Sequence, residues 1–171
     1  MSELQTLTKF FCFMKYSRLT KEQFEALHVE FINFLATQSI TGAEWKEIKA
    51  NQPALAEQEL DVFSDLIWEG ALGKAEFLQN ASAQQLFLFR LEKEQMQLVV
   101  VRCSNPEIDL TTSQGLKWLF RHVGDEQVEL LTASKGYAQD RNQDIFQLIQ
   151  QGAEITDGKL FEAIFKLLPE K

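Results

Sequence analysis

The longest unbroken helical pattern in the chain runs from Pro53 to Leu72. Acidic residues recur every four positions along it and predict a polar stripe on one side of a helix. The stripe consists of Glu57, Asp61, Asp65 and Glu69. The apolar face of the same helix consists of Leu55, Leu60, Val62, Phe63, Leu66 and Ile67. The pattern therefore predicts a core helix whose outer side is acidic.

Two capping boxes precede this long helix. Thr20 with Gln23 predicts a helix that runs to about Thr37. Thr41 with Glu44 predicts a short second helix. The apolar residues of the first helix share one face, which consists of Phe24, Leu27, Phe31, Phe34 and Leu35. We therefore expect three N-terminal helices, the long helix being the third.

The pattern changes to β-rich runs after residue 84. Gln85–Leu91 and Met96–Cys103 predict an antiparallel hairpin, and Gln127–Thr132 predicts a third strand. The segment before them, Lys74–Gln79, is interpreted as one more helical turn. The consecutive apolar residues 98–101 indicate a strand that is covered on both faces.

Three further helices are predicted in the C-terminal half. They run from Thr111 or Thr112 to about Val123, over Asp140–Gln151 and over Asp157–Leu168. The expected fold class is α+β, predominantly helical, with a small antiparallel sheet between N-terminal and C-terminal helices. Residues 14–171 are expected to form a single globular domain.

Residues 1–13 differ from the rest because they show neither a cap nor a clean period. We interpret them as an N-terminal extension that is frayed or docks through Phe10, Phe11 and Phe13. Met14 then opens the sequence MKYSRLT and is a second candidate start.

Charge and cysteine content narrow the range of partners. The net charge of -8 and the pI of about 4.8 argue against nucleic acid and against anionic membranes as partners. Two cysteines, Cys12 and Cys103, are too few for a disulfide framework, and no apolar run approaches the roughly 20 residues of a membrane span. These features predict a cytoplasmic protein.

The acidic stripe allows three interpretations: a solvated face, an electrostatic docking surface or a metal site. Residues four apart drift by about 40° around a helix, so the stripe winds instead of converging on a point. A cation would therefore need oxygen ligands from a second element. Trp68 projects among the acids and is either covered by a neighbouring element or available to a partner.

Two polar residues interrupt the predicted apolar faces. Glu59 lies between Phe63 and Leu66 on the long helix, and His28 lies within the face of the first helix. We consider a partly buried pair of Glu59 with His28, against the alternative that His28 bonds to backbone and Glu59 reaches water.

Known catalytic and metal-binding patterns are incomplete. Glu25 and His28 form one ExxH element, but a di-iron bundle needs a second ExxH and two more glutamates. The opening of an EF-hand at Asp140 lacks its glycine and its final glutamate, and the spacing of Cys103 and His122 does not support a nucleophile–base pair. The sequence therefore predicts no catalytic residue, no cofactor and no metal.

Several stretches together resemble a known family: MKYSRLTKEQFEALHVEFINFLATQSI, ELDVFSDLIWEG, QLFLF and NPEIDLTT. The family is an uncharacterised one of small acidic bacterial cytoplasmic proteins, a domain of unknown function. The resemblance covers Met14 to about Phe165 and implies a compact stand-alone protein. It brings no activity, cofactor or catalytic residue.

Two functions remain open. The first is a non-catalytic interaction or regulatory protein that uses the stripe and Trp68 to bind a protein partner or a second copy. The second is a small-ligand-binding protein or an enzyme with a pocket between the helices and the sheet. Such a pocket would be lined by Glu25, His28 and Glu59.

Overall fold

A computed structural model describes residues 14–138 and 140–168 of the chain. These residues form seven helices and one five-stranded antiparallel sheet, which confirms the α+β class. The chain divides into two compact units, Met1–Gly70 and Ala71–Lys171, and each is described by itself. The predicted extension, residues 1–13, lies outside the described residues. The single-domain organisation of residues 14–171 stays a prediction.

The described part of unit 1 is helical. Its helices are α1 (Lys21–Ala26), α2 (His28–Thr37), α3 (Gly42–Asn51) and α4 (Pro53–Lys74), the last turn of α4 belonging to unit 2. Both predicted capping boxes form, at Thr20 and at Thr41. The helix predicted from Thr20 to Thr37 is interrupted at Leu27, whose φ of -105° and ψ of 23° are not helical. It is therefore two helices.

The core of unit 1 is aromatic. Phe63 of α4 is almost fully buried, and its ring centroid lies 5.0 Å from that of Phe31 and 5.4 Å from that of Phe34. Leu19 and Leu35 are also buried in this cluster. Leu66, predicted on the inner face, is 56% exposed. Periodicity fixes the direction of a side chain, but not how far along the helix its packing partners reach.

Unit 2 contains the sheet. Its elements are β1 (Phe77–Ser82), β2 (Gln85–Leu91), β3 (Gln95–Cys103), α5 (Ser113–His122), β4 (Val128–Gly136), α6 (Arg141–Gln150), β5 (Glu154–Thr156) and α7 (Lys159–Phe165). The strand order is β4-β3-β2-β1-β5. The predicted hairpin is confirmed as β2 and β3. The predicted third strand is β4, which continues to Gly136.

The predicted helical turn over Lys74–Gln79 is wrong. The helix ends at Lys74, and Phe77 begins β1, which pairs with β2 through Phe77 and Arg90. The pairing supplies backbone partners that the local pattern does not reveal, so tertiary contact overrides local preference.

Helices cover both faces of the sheet. On one face, Val99 and Val101 of β3 pack in a cluster with Leu119 of α5 and Ile164 of α7. On the other face, Leu98 of β3 lines a cavity together with residues of α6. The prediction that β3 is covered on both faces is confirmed.

Arg141 fixes the beginning of α6 within unit 2. Its guanidinium donates hydrogen bonds to four backbone carbonyl oxygens, those of Leu72, Ala75, Leu91 and Glu92. Because these carbonyls belong to the end of α4 and to the segments around β1 and β2, one side chain joins three parts of the unit.

Candidate functional site

A non-helical segment of the same chain, residues 15–19, lies along the acidic stripe of α4, and we call this segment the strap. Its sequence is Lys15-Tyr16-Ser17-Arg18-Leu19. Each of the five residues is bound to α4 by a hydrogen bond or an ion pair. The contact therefore places two basic side chains against four acidic ones.

Asp65 holds the beginning of the strap by its backbone. One carboxylate oxygen accepts a hydrogen bond from the Lys15 N–H at 2.7 Å, and the other accepts one from the Tyr16 N–H at 2.9 Å. Hydrogen bonds to an ionised acceptor are roughly twice as strong as neutral ones. Because both donors are backbone groups, Asp65 fixes the path of the chain independently of the side chains at positions 15 and 16.

Glu69 binds the side chains of the same two strap residues. Its Oε2 accepts a hydrogen bond from Lys15 Nζ at 3.1 Å and a second one from the Tyr16 hydroxyl. Burial, together with the hydrogen bond to Glu69, raises the pKa of Tyr16 to about 12. The phenol is therefore held in its protonated form, as a donor to a carboxylate.

Arg18 binds the N-terminal half of the stripe. Its Nε lies 2.7 Å from Asp61 Oδ1, its Nη1 donates to the Glu57 carboxylate, and its Nη2 donates to the Glu57 carbonyl at 3.2 Å. Hydrogen bonding to Glu57 is the main cause of the raised pKa of Arg18. The guanidinium is 35% exposed, so each ion pair alone adds little stability. Its several bonds mainly fix the register of the strap.

The end of the strap enters the core of unit 1. Leu19 is buried with Phe63, and its backbone N–H donates to Ser64 Oγ at 3.1 Å. The Ser64 hydroxyl in turn donates to the Leu60 carbonyl at 2.7 Å. Ser64 is fully buried, and this pair of bonds satisfies both its donor and the strap amide.

Trp68 is half-buried and contacts the strap. Its Nε1–H donates to the Ser17 carbonyl at 3.0 Å, and its ring packs against the unit 1 core. The polar edge of the indole is therefore bonded within the chain.

The structure thus brings all five residues of the predicted interaction surface to one intramolecular contact: Glu57, Asp61, Asp65, Trp68 and Glu69. The strap as their partner is not visible in the sequence pattern, since residues 15–19 have no periodicity. The available signal was the spacing of Lys15 and Arg18, two bases on a segment with no helical pattern in an acidic chain. In the described part of the chain, no three His, Cys, Asp or Glu side chains are grouped so that they could hold a metal ion.

The structure does not bring His28 and Glu59 together. Glu59 is buried and accepts a hydrogen bond from Gln38 Nε2 at 2.9 Å. His28 is exposed, and its Nδ1 lies 3.2 Å from the Glu25 carbonyl oxygen. The Glu25 carboxylate is also exposed and lies 3.9 Å from Lys21 Nζ. Glu25, His28 and Glu59 therefore have three different partners.

Cys103 and His122 also have separate partners in unit 2. Cys103 is buried, with its Sγ 3.8 Å from the Asn105 carbonyl oxygen. The Nδ1 of His122 lies 2.7 Å from the Trp118 carbonyl oxygen, and its ring stacks on the Trp118 ring.

Unit 2 contains a half-open cavity of about 380 Å³ between α6 and the sheet. Phe89, Met96 and Leu98 form its apolar floor. The carboxylate of Asp144 lies on its helical side and accepts a hydrogen bond from the Ala138 N–H at 2.6 Å. None of the three residues predicted to line a pocket, Glu25, His28 and Glu59, lines this cavity, because its lining comes from elements whose packing the sequence pattern does not specify.

A comparison with models of protein families finds a family that spans most of the chain. The model of a family described as a family of unknown function (DUF6495) matches residues 14–169. No curated protein and no solved structure matches the chain. In residues 14–138 and 140–168, no helix combines the length and the apolar character that crossing a membrane requires.

Proposed function

The chain belongs to DUF6495, a family of unknown function, and we propose that it is a non-catalytic interaction protein that binds a basic segment of a protein partner on the acidic face of α4. One observation carries the proposal: the strap is itself a basic segment, and each of its five residues is bound to α4. In the absence of a partner the strap occupies the acidic face, and a partner binds by displacing it.

The contacts of the strap define the chemistry of a competing segment. Asp61 with Glu57 favours a guanidinium, and Glu69 favours an ammonium and a phenol. Asp65 and Trp68 bind the backbone, which any non-proline residue provides. The partner segment therefore carries a lysine and an arginine three positions apart, with an aromatic residue between them.

The strap belongs to the same chain as α4, and this determines how strongly it competes with a partner segment for the acidic face. A segment joined by a linker to its own binding surface has an effective concentration on the order of millimolar. A partner displaces it only by binding α4 more tightly or by making further contacts elsewhere. The strap thus regulates access to the face, and any change that weakens the strap raises the apparent affinity for the partner.

The test is a titration of the full chain carrying Arg18→Glu with the peptide MKYSRL, the sequence of residues 14–19. Nuclear magnetic resonance of the indole N–H groups follows Trp68 directly, with Trp45 as the reference for an intact unit 1. We expect a saturable shift of the Trp68 signal at millimolar peptide. Adding Asp61→Lys to the variant should abolish the shift, because the guanidinium of the peptide loses its acceptor.

A second peptide, in which glutamate replaces the lysine and the arginine, is the charge control. An equal response to both peptides, or no Trp68 shift up to several millimolar MKYSRL, overturns the proposal. If Arg18→Glu unfolds unit 1, Lys15→Glu serves in its place, because it removes the ion pair with Glu69 and leaves the bonds of Arg18 to Glu57 and Asp61 in place.

The proposal includes a cytoplasmic location in a bacterial cell. The free, buried thiol of Cys103 and the low cysteine content fit a reducing compartment. Export of the folded protein into the culture medium or the periplasm, shown by cell fractionation, would contradict it.

A small-ligand-binding function is the second candidate, and the cavity of unit 2 favours it. Its volume of about 380 Å³ falls in the usual range for ligand sites, and its floor is apolar. Benzene is a suitable probe for such a floor, and we expect it to shift the methyl signals of Met96 and Leu98. Leu148→Trp, which fills the cavity from α6, should suppress the shift; unchanged methyl signals in the wild type would exclude this function.

A further inference from the structure

β4 is an edge strand of nine residues whose outer side has no strand beside it in the described part of the sheet. Its residues 131–136 are all exposed. It contains no proline, and its register with β3 runs without a bulge from Val128 to Gly136. The opposite edge of the sheet is β5, which is only three residues long. Proteins protect their edges with short strands, prolines, bulges or charged side chains, and of these β4 has only the charged residues Glu129 and Lys135.

The hydrogen bonds of the sheet show which backbone groups of β4 point outward. Ser104 N donates to Gln127 O at 2.9 Å, one position beyond the β3–β4 ladder. Hydrogen-bonded pairs alternate along an antiparallel ladder, so the odd-numbered residues of β4 are bonded to β3. The even-numbered residues direct their N–H and C=O groups away from the sheet: Val128, Leu130, Thr132, Ser134 and Gly136.

We propose that β4 pairs with β4 of a second copy of the chain, antiparallel, about a two-fold axis at Thr132. In this register Leu130 of each copy lies opposite Ser134 of the other, and Val128 lies opposite Gly136. All five outward-directed residues are then in hydrogen-bonded pairs. About ten backbone hydrogen bonds form across the axis, by the two-per-pair rule of an antiparallel ladder.

Charge complementarity identifies the second copy as the partner. With Thr132 on the axis, Glu129 of each copy stands directly opposite Lys135 of the other. Both residues lie on the same face of the sheet, because β3 pairs them with Arg102 and Met96, which are six positions apart. Glu129 and Lys135 are also the only charged residues of β4, so both take part. Opposite charges in directly facing positions stabilise strand pairing.

Neighbouring registers do not produce this match. An axis at Leu131 or at Ala133 also pairs the outward backbone groups, but it leaves both charges facing uncharged residues or residues beyond the strand. Because Glu129 and Lys135 lie at equal distances on either side of Thr132, the charges favour the axis at Thr132. The resulting contact is isologous and closes as a dimer. It uses a different surface from α4 and does not depend on the proposed function.

Sedimentation of the full chain over a range of concentrations measures the dimer, with three variants. Thr132→Pro removes an outward N–H without removing a bond to β3, and should give a monomer. Lys135→Glu places like charges opposite each other at two sites and should weaken the dimer by roughly tenfold or more. Glu129→Lys should weaken it similarly, since it repeats the repulsion with the opposite sign.

Mixing the last two variants is the decisive step. In a mixed pair, both facing positions again have opposite charges, so K135E and E129K should form a heterodimer although each alone is mainly monomeric. This result cannot come from misfolding of either variant. A wild type that stays monomeric at high micromolar concentration, or a mixture that stays monomeric, overturns the proposal.

Discussion

Ser64 gives the sharpest test of how the strap is held. The side chain is fully buried in α4, accepts the Leu19 N–H at 3.1 Å and donates to the Leu60 carbonyl. Ser64→Ala removes one oxygen and leaves the helix and the strap backbone in place. The Leu19 amide then loses its acceptor in a position that water does not reach.

The magnitude follows from two opposing contributions. A buried N–H without a partner costs about 1–3 kcal/mol. Alanine is a better helix former than serine and offsets this by up to about 0.5 kcal/mol. With the full offset, we therefore expect the free energy of unfolding of unit 1 to fall by about 0.5–2.5 kcal/mol.

Urea denaturation followed by tryptophan fluorescence measures this change, with Trp68 next to the strap as a reporter. Ser113→Ala is the matched control, because Ser113 is an exposed helical serine and its loss should change stability by less than about 0.5 kcal/mol. If Ser64→Ala is as stable as the wild type or more stable, the Leu19 amide does not depend on Ser64, and the docking of the strap end is wrong.

Two further predictions concern the contrast between two glycines, Gly115 and Gly70, and the titration of the Tyr16 hydroxyl. A Cβ at Gly115 would lie 1.7 Å from the Asp109 carbonyl oxygen, so Gly115→Ala should cost about 3 kcal/mol or more in thermal denaturation. Gly70→Ala meets nothing within 4 Å and should stabilise α4 by about 0.5–1 kcal/mol, and equal effects of the two changes would contradict both. For Tyr16, the raised folded-state pKa means that its contribution to stability is complete below pH 10, the ordinary tyrosine pKa, and is lost as the pH rises through about 12. The tyrosinate absorbance of the wild type minus that of Tyr16→Phe isolates this titration from that of Tyr137, and a midpoint near 10 would refute it.

The sequence predicts those parts of the fold that local rules determine. The capping boxes at Thr20 and Thr41, the start of α4 at Pro53 and the β2–β3 hairpin all follow from patterns within a few residues. β1 and β5 escape prediction because they exist through pairing with distant strands. The break at Leu27 escapes it as well, since the apolar period continues across the interruption.

The sequence predicts one side of the candidate site, the residues on α4, but not the other side, the strap. The acidic residues and Trp68 are visible as a pattern, because a helix imposes a period on them. The strap imposes none, and its contacts to Asp65 and Trp68 use backbone groups that every sequence carries. Whether a charged helical face meets solvent, a partner or its own chain is therefore decided by tertiary structure alone.

The most direct test of the occupied acidic face is amide hydrogen exchange at Lys15 and Tyr16, measured by nuclear magnetic resonance on the wild type and on Asp65→Ala. Both amides donate to the Asp65 carboxylate, whereas neither belongs to a helix or a strand that would protect it otherwise. We expect exchange at least roughly tenfold slower than in an unstructured chain, from a local opening free energy above about 1.4 kcal/mol, and loss of this protection in Asp65→Ala. Exchange of both wild-type amides at the unstructured rate would contradict the docking of the strap on α4.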